Sequence, residues 1–167
     1  MAPPELHRPI PIDRIAAGDI DVRASQAECA ALAKRLILPA IASVACRWRC
    51  TALPGGVFAA RGHLKAAITQ ICVVSLDPFP AKIDERFEVH FIPETQIGEE
   101  DASEEIDEIP YQGFEIDLGE ATAEQLALSL DPYPRKEGAT LPPEATDEPG
   151  NPFAGLAALQ PKRPKEN

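Results

Sequence analysis

Between residues 40 and 66, apolar and polar side chains alternate with the period of two that half-buried β-strands show. The first predicted strand spans 40–52, and its two sides are Cys46, Trp48 and Cys50 against Arg47, Arg49 and Thr51. A Pro-Gly-Gly turn at 54–56 leads into a second strand over 57–66. The polar side of that strand carries Arg61, His63 and Lys65. We therefore predict a β-hairpin that presents basic side chains on its solvent face.

Three further segments complete the predicted sheet. The apolar run 67–76 continues as a buried strand, and residues 77–80 turn the chain into another strand over 82–92. The inward positions of that last strand are Ile83, Phe87, Val89 and Phe91. Residues 8–15 also alternate, but their prolines restrict the segment to a sheet edge, because proline cannot donate to a central ladder.

Two capping boxes mark the starts of two predicted helices, because a cap residue and a glutamate three positions later can satisfy each other's backbone amides. Ser25 and Glu28 open a helix over 26–37, and its apolar face is Leu32, Ala33 and Leu36. Asp117 and Glu120 open a helix over 118–130, and the side chains available for packing are Leu118, Leu126, Leu128 and Leu130. We expect an α+β fold in which a strongly twisted antiparallel sheet, formed by 8–15 and 40–92, packs against both helices.

Charge divides the chain unevenly. Residues 1–91 carry eleven Lys and Arg against nine Asp and Glu, whereas 92–167 carry five against eighteen. Eight of those acidic residues fall within 94–108, so we predict a flexible acidic insert over 94–113 within a single domain spanning 8–135. Proline-rich sequence at 136–150 is typical of a linker, and residues 151–160 are expected to form a short C-terminal helical motif on a flexible tail.

Candidate catalytic and metal-ligating residues are few. The cysteines are Cys29, Cys46, Cys50 and Cys72, and the histidines are His7, His63 and His90. Cys46 and Cys50 would lie about 13 Å apart on a strand, too far to share a zinc ion with bonds of about 2.3 Å. The sequence contains no phosphate-binding glycine loop, nucleophile elbow or zinc-protease motif. We expect buried thiols, no enzyme activity, no metal and no cofactor; a zinc site or thiol centre involving Cys72 is the less favoured alternative.

The basic side of the predicted hairpin is the candidate binding site. Its members are Arg47, Arg49, Arg61, His63 and Lys65. Such a row can neutralise several phosphates, but it lacks aromatic side chains for base stacking because Trp48 points inward. We therefore predict contacts to an RNA backbone without sequence reading, with an ordinary solvated sheet face as the alternative.

Four segments carry a resemblance to a known family. They are Thr69–Phe79, Phe114–Glu120, Leu126–Arg135 and Asn151–Leu159. The residues that match family motifs are Gln70, Cys72, Pro78, Phe79, Asp117, Leu118, Asp131, Pro132, Pro134, Asn151, Pro152 and Phe153. In order and spacing they resemble the bacterial YceD family of large ribosomal RNA subunit accumulation proteins, most of all its alphaproteobacterial members. Many relatives have a second cysteine where this chain has Ser75, which argues further against a shared metal or redox site.

The resemblance implies a non-enzymatic ribosome-biogenesis factor that supports accumulation, processing or stability of large-subunit (23S) ribosomal RNA. Its partners would be that RNA or a pre-ribosomal particle, a basic ribosomal or assembly protein, or both, with no membrane and no small-molecule substrate. A protein-only adaptor without RNA contact is the alternative. The first residues lack an apolar leader and no apolar run of about 18 residues follows, so we expect a cytoplasmic protein.

Overall fold

A five-stranded sheet dominates the fold in a computed structural model that describes residues 4–96 and 106–140. Its strands, in spatial order, are β2 Asp19–Arg23, β3 Ala40–Ala52, β4 Phe58–Ile71, β5 Pro78–Pro93 and β6 Asp107–Tyr111. A separate pair consists of β1 Pro9–Pro11 and β7 Glu115–Asp117. The helices are α1 Gln26–Arg35 and α2 Leu118–Leu128, and their buried residues share one core cluster with the sheet. Mixed α+β character with two helices is therefore confirmed, although sheet predominates.

The predicted hairpin is confirmed as the centre of the sheet. β3 and β4 pair antiparallel, with Arg47 opposite His63 and Arg49 opposite Arg61. β5 then pairs antiparallel along the whole of β4, from Phe58 opposite Phe91 to Ile71 opposite Pro78. Because side chains alternate across a strand, the three long strands present one apolar face to the helices and one charged face to solvent.

The prediction for the N-terminal edge is wrong. Within 8–15 only Pro9–Pro11 forms a strand, and it pairs with β7 rather than with the main sheet. The edge of the main sheet is instead β2, which pairs with β3 and which the sequence pattern did not single out. Only Val22 of β2 is buried, so this strand carries too little apolar signal to be recognised by itself.

The continuation of the second strand to residue 76 is also wrong. β4 ends at Ile71, and the next residues form a turn in which Cys72 N–H donates to Asp77 O and Leu76 N–H donates to Cys72 O. β5 begins at Pro78, inside the predicted turn 77–80. Prolines are tolerated there because β6 pairs with β5 only over Val89–Pro93, so the start of β5 lies at the sheet edge.

Part of the predicted acidic insert 94–113 is a strand. Asp107–Tyr111 forms β6, which runs parallel to β5 with Val89 opposite Asp107, so the sheet is not purely antiparallel. Ile109 and Tyr111 pack against the core, which explains why this acidic stretch is ordered. The remainder of the insert at 97–105, the linker beyond residue 140 and the 151–160 motif lie outside the described residues.

Both helices begin where predicted and end early. The Ser25–Glu28 capping box is present, but α1 ends at Arg35 rather than 37. Asp117 caps α2 by accepting hydrogen bonds from the Gly119 and Glu120 amides, but the second capping box is not formed, because the Glu120 carboxylate accepts from Arg35 instead. α2 ends at Leu128 rather than 130. Leu128 is exposed rather than packed, whereas Leu118 and Leu126 are buried as predicted. Neither described helix is long and apolar enough to cross a membrane.

Trp48 lies at the centre of the core and links the sheet to α2. Its indole Nε1–H donates to Thr122 Oγ1 at 2.9 Å, and the Thr122 hydroxyl donates to Leu118 O at 2.7 Å. The rings of Phe87 and Phe91 lie at centroid distances of 5.1 and 5.8 Å from the indole. The only tryptophan is therefore both packed and hydrogen-bonded, as a buried indole requires.

The N-terminal residues tie the two helices together. Arg8 donates to both carboxylate oxygens of Glu28 in the α1 capping box, and its backbone N–H donates to the Asp117 carboxylate that caps α2. Leu6 is fully buried, and Gly119 lies directly against the Leu6 backbone. A side chain at 119 would place its Cβ 2.4 Å from Leu6 O and 2.8 Å from Arg8 N.

Gly119→Ala is expected to destabilise the protein by about 1–3 kcal/mol, because backbone atoms cannot yield to the added methyl group. The direction of the change in unfolding free energy is informative, because replacing glycine by alanine within a helix would otherwise add about 1 kcal/mol of stability. Urea unfolding followed by tryptophan fluorescence measures the change. Gly18→Ala is the matched control because nothing lies within 4 Å of its added Cβ; an unchanged midpoint for Gly119→Ala would contradict the close approach.

The Arg8–Glu28 contact predicts a dependence of stability on pH. Hydrogen bonds from Arg8, and then from Ser25, lower the pKa of Glu28 from 4.5 to about 2. The carboxylate therefore stabilises the fold fully above pH 4.5, and this contribution is lost as the pH falls toward about 2. The loss of unfolding free energy in Glu28→Gln should be largest at neutral pH and shrink below pH 4.5. Glu85→Gln is the control, because it removes a carboxylate that makes no ion pair in the described part of the chain. A pH-independent cost for Glu28→Gln would refute the linkage.

Candidate nucleic-acid interface

The five predicted basic residues lie together on the charged face of the sheet. Arg47 and Arg49 come from β3, and Arg61, His63 and Lys65 come from β4. The register places Arg49 opposite Arg61 and Arg47 opposite His63. Lys65 lies opposite Ala45, two positions beyond His63 and therefore on the same face. Directly opposite side chains in an antiparallel pair have Cβ atoms about 4.5–5.5 Å apart, so these groups form one continuous surface. We call these five residues the basic face.

Each member of the basic face has a carboxylate partner, which the sequence did not reveal. The pairs are Arg49–Asp19 at 2.7 Å, Arg47–Asp21 at 2.9 Å, Arg61–Glu88 at 3.1 Å, His63–Asp84 at 2.6 Å and Lys65–Asp84 at 3.4 Å. The carboxylates come from β2 and β5, the strands that flank the hairpin. The surface is therefore a mixed-charge face with arginines at its centre and acids toward both sides.

These ion pairs are open to solvent. The Arg47, Arg49 and Arg61 side chains are 61%, 72% and 76% exposed. Hydrogen bonds from Arg49 and Arg47 lower the pKa of Asp19 and Asp21, and a hydrogen bond from His63 lowers that of Asp84. Exposed pairs contribute little to stability because water competes for both charges. A phosphate can therefore replace a carboxylate on an arginine at small cost to the fold.

Arg86 adds a basic group that the sequence reasoning missed. It lies opposite His63 on β5, so Arg47, His63 and Arg86 form a row across three strands. A shallow cavity of about 430 Å³ opens at this row, and its lining includes Arg61 and Glu88. Arg86 makes no ion pair within residues 4–96 and 106–140. The cross-strand register would have revealed it, had the pairing of β5 been known.

Two of the sequence motifs that follow the hairpin contact each other, and we call this contact the motif junction. It consists of the turn Cys72–Asp77 and residues 131–136, which follow α2. Gln70 Nε2–H donates to Asp131 O at 3.3 Å, and Val73 N–H donates to Pro134 O at 2.9 Å. Pro78 and Phe79 begin β5 beside the junction, whereas Asp117 and Leu118 lie at the other end of α2. Asn151, Pro152 and Phe153 fall outside the described residues.

Cys72 is the acceptor at the centre of the motif junction. It has no exposed surface, and its Sγ accepts from the amides of Ser75 and Lys136, both at 3.4 Å. Hydrogen bonds from the Ser75 side chain and then from these amides lower the pKa of Cys72 to about 6. Burial instead raises the pKa of Cys46 to about 12 and that of Cys50 to about 11.

The prediction of buried thiols is confirmed for all four cysteines. Within the part of the chain that the structure describes, no three His, Cys, Asp or Glu side chains are grouped to hold a metal ion. Ser75 is itself engaged with the Cys72 sulfur.

These features define a small α+β protein with an open, mixed-charge sheet face and a hydrogen-bonded motif junction. The chain belongs to the family described as large ribosomal RNA subunit accumulation protein YceD, whose model matches residues 60–160. This match confirms the resemblance and includes Arg61, His63, Lys65 and Arg86, whereas Arg47 and Arg49 precede it. No curated protein and no solved structure matches the chain.

The Cys72 contacts predict that stability rises with pH near neutrality. A lowered pKa means that the thiolate stabilises the fold fully above the ordinary thiol pKa of 9.0, and that this contribution is lost as the pH falls through about 6. The cost of Cys72→Ala, measured by urea unfolding, should therefore increase from pH 6 to pH 8. Cys46→Ala is the matched control, because its thiol stays neutral in both states over that range and its cost should be constant. Equal pH profiles for the two variants would show that Cys72 is not held as a thiolate.

Proposed function

We propose that this protein is a non-enzymatic factor that supports the accumulation of large-subunit (23S) ribosomal RNA, and that the basic face together with Arg86 contacts RNA phosphates. The family description supports the first part, since it names accumulation of the large ribosomal RNA subunit and no reaction. The observation that carries the second part is the row Arg47, His63 and Arg86 at one shallow cavity beside Arg61.

The chemistry of this row suits a phosphodiester backbone. A guanidinium group binds phosphate through two parallel N–H donors, and three arginines line the same cavity. Phe87 also lines the cavity, but its ring packs edge-on against the buried Trp48 at a centroid distance of 5.1 Å, so the row offers phosphate contacts rather than a flat platform for base stacking. Contacts of this kind position a protein on RNA but read no sequence.

The carboxylates set the strength of the interaction. Asp19, Asp21, Asp84 and Glu88 must separate from their partners when phosphate binds. The chain as a whole carries a net charge of −11, which opposes binding to free polyanions. Both effects favour weak binding to isolated RNA and stable binding only where a second partner in a ribosomal particle contributes contacts.

A protein-only adaptor is the second candidate function, and the complete ion pairing of the basic face favours it. In that case the mixed-charge face would exchange ion pairs with a protein partner of matching charge pattern. Dependence on RNA separates the two functions, because an adaptor keeps its partner after the RNA has been digested.

The triple variant Arg47→Gln, Arg61→Gln and Arg86→Gln is expected to bind large-subunit rRNA more weakly than the wild type and with a smaller salt dependence. Each lost phosphate contact lowers the slope of log affinity against log salt by about 0.7–0.9, so three lost contacts should lower the slope by about 2–3. Filter binding at several salt concentrations, with 23S rRNA fragments, measures both quantities. Arg14→Gln with Lys34→Gln is the control, because these exposed cations lie in other parts of the fold.

The opposite change gives a second arm to this experiment. Asp19→Asn with Asp21→Asn should tighten RNA binding, because Arg49 and Arg47 then need not leave a carboxylate. If the triple arginine variant binds rRNA with unchanged affinity and slope, RNA contact at this face is wrong. Retention of a protein partner after nuclease treatment, together with that result, would establish the adaptor.

A further inference from the structure

One end of the sheet exposes most of the large apolar side chains that the described residues leave in solvent. There are eight such side chains, and six lie on the motif junction or on segments that adjoin it: Ile37, Ile71, Val73, Leu76, Leu128 and Tyr133. Ile37 precedes Ala40, which pairs with Thr69 near the end of β4, and Leu128 ends α2 just before Asp131. We call these six residues the apolar end.

The backbone is strained where it holds two of these side chains. Ile37 has φ of 55° and Leu76 has φ of 61°, and among the described residues they are the only ones other than glycine with positive φ. Their side chains are 91% and 74% exposed. Ile37 follows the C-cap of α1, where its N–H donates to Lys34 O and the Leu38 N–H donates to Ala33 O, so its positive φ ends the helix. Leu76 has the same conformation within the Cys72–Asp77 turn. The fold thus holds apolar groups in solvent at a conformational cost.

The described chain stops beside this end. Its last described residue is Thr140, four positions after Lys136, whose amide donates to Cys72 Sγ and whose Nζ lies 3.7 Å from Asp77. Thirteen residues further along comes Phe153, followed by Leu156 and Leu159 at a spacing of three. Thirteen extended residues reach at most about 45 Å, which is comparable to the length of β4. The linker is therefore long enough to return Phe153 to the apolar end.

The family match gives an independent reason to treat the apolar end and the segment 153–159 as one unit. It extends from β4 through the motif junction to residue 160, one position beyond Leu159. The family model therefore includes both the segment 153–159 and the motif junction, where the linker to that segment begins.

We propose that Phe153–Leu159 of the same chain binds the apolar end, with Phe153, Leu156 and Leu159 covering Val73, Leu76 and Tyr133. A short linker gives the segment a millimolar effective concentration, so modest apolar contacts are enough to keep it bound. This binding leaves the basic face open, and the inference does not depend on contact with RNA.

Hydrogen exchange of the full-length chain tests the proposal. Amides of 151–160 should exchange about tenfold or more slowly than those of 141–150. The protection should disappear in Leu76→Asn with Val73→Ser, and equally in Phe153→Ser with Leu156→Ser. Asparagine is chosen at 76 because it adopts positive φ readily, so the turn is kept while the apolar side chain is removed.

Two matched controls remove an apolar side chain elsewhere. Phe114→Asn changes an exposed residue in the connection between β6 and β7, and Leu141→Ser changes the tail outside the segment; protection should persist in both. Three results would overturn the proposal: unprotected exchange of 151–160 in the wild type, protection that survives Leu76→Asn with Val73→Ser, or protection that increases with protein concentration. The last result would assign the surface to a second copy of the chain.

Discussion

The contact of Arg8 with Glu28 and Asp117 joins the starts of the two helices that cover the sheet. One residue supplies a guanidinium to the capping box of α1 and a backbone amide to the cap of α2, so the two helix starts are fixed relative to each other. The same segment buries Leu6 and approaches Gly119 so closely that only glycine fits there. Because a sheet with one apolar face must be covered to be stable, this link between two short helices supports the packing of the core.

The covered face and the charged face are consequences of the same three strands. β3, β4 and β5 are 13, 14 and 16 residues long, and their alternation sends Trp48 toward α2 and Arg47 toward solvent. The register then decides which charges meet, since Arg47, His63 and Arg86 fall in one row while acids from β2 and β5 lie beside them. The position of the candidate interface is thus set by strand pairing and not by a loop.

The sequence predicted features that depend on neighbours along the chain. The hairpin, the basic face and the Ser25 cap follow from local alternation and spacing, and all three are present. Features that depend on pairing between distant segments were missed: β2, with one buried side chain, the parallel strand β6, and the carboxylate partners of the arginines. The end of β4 at Ile71 could not be read from an apolar run, because Val73 and Leu76 are apolar but exposed. Apolar character does not by itself guarantee burial, because more than half of a folded protein's accessible surface is still apolar.

The position of Trp48 gives the protein a built-in optical reporter. A single indole, fully buried and hydrogen-bonded to Thr122, means that all tryptophan emission originates at the contact between β3 and α2. Separation of the helix from the sheet would transfer that indole from an apolar shell to water and shift its emission to longer wavelength. Ligands on the charged face act on the opposite side of the sheet. Tryptophan fluorescence therefore reports on the packing of α2 against β3 and not on binding at the charged face.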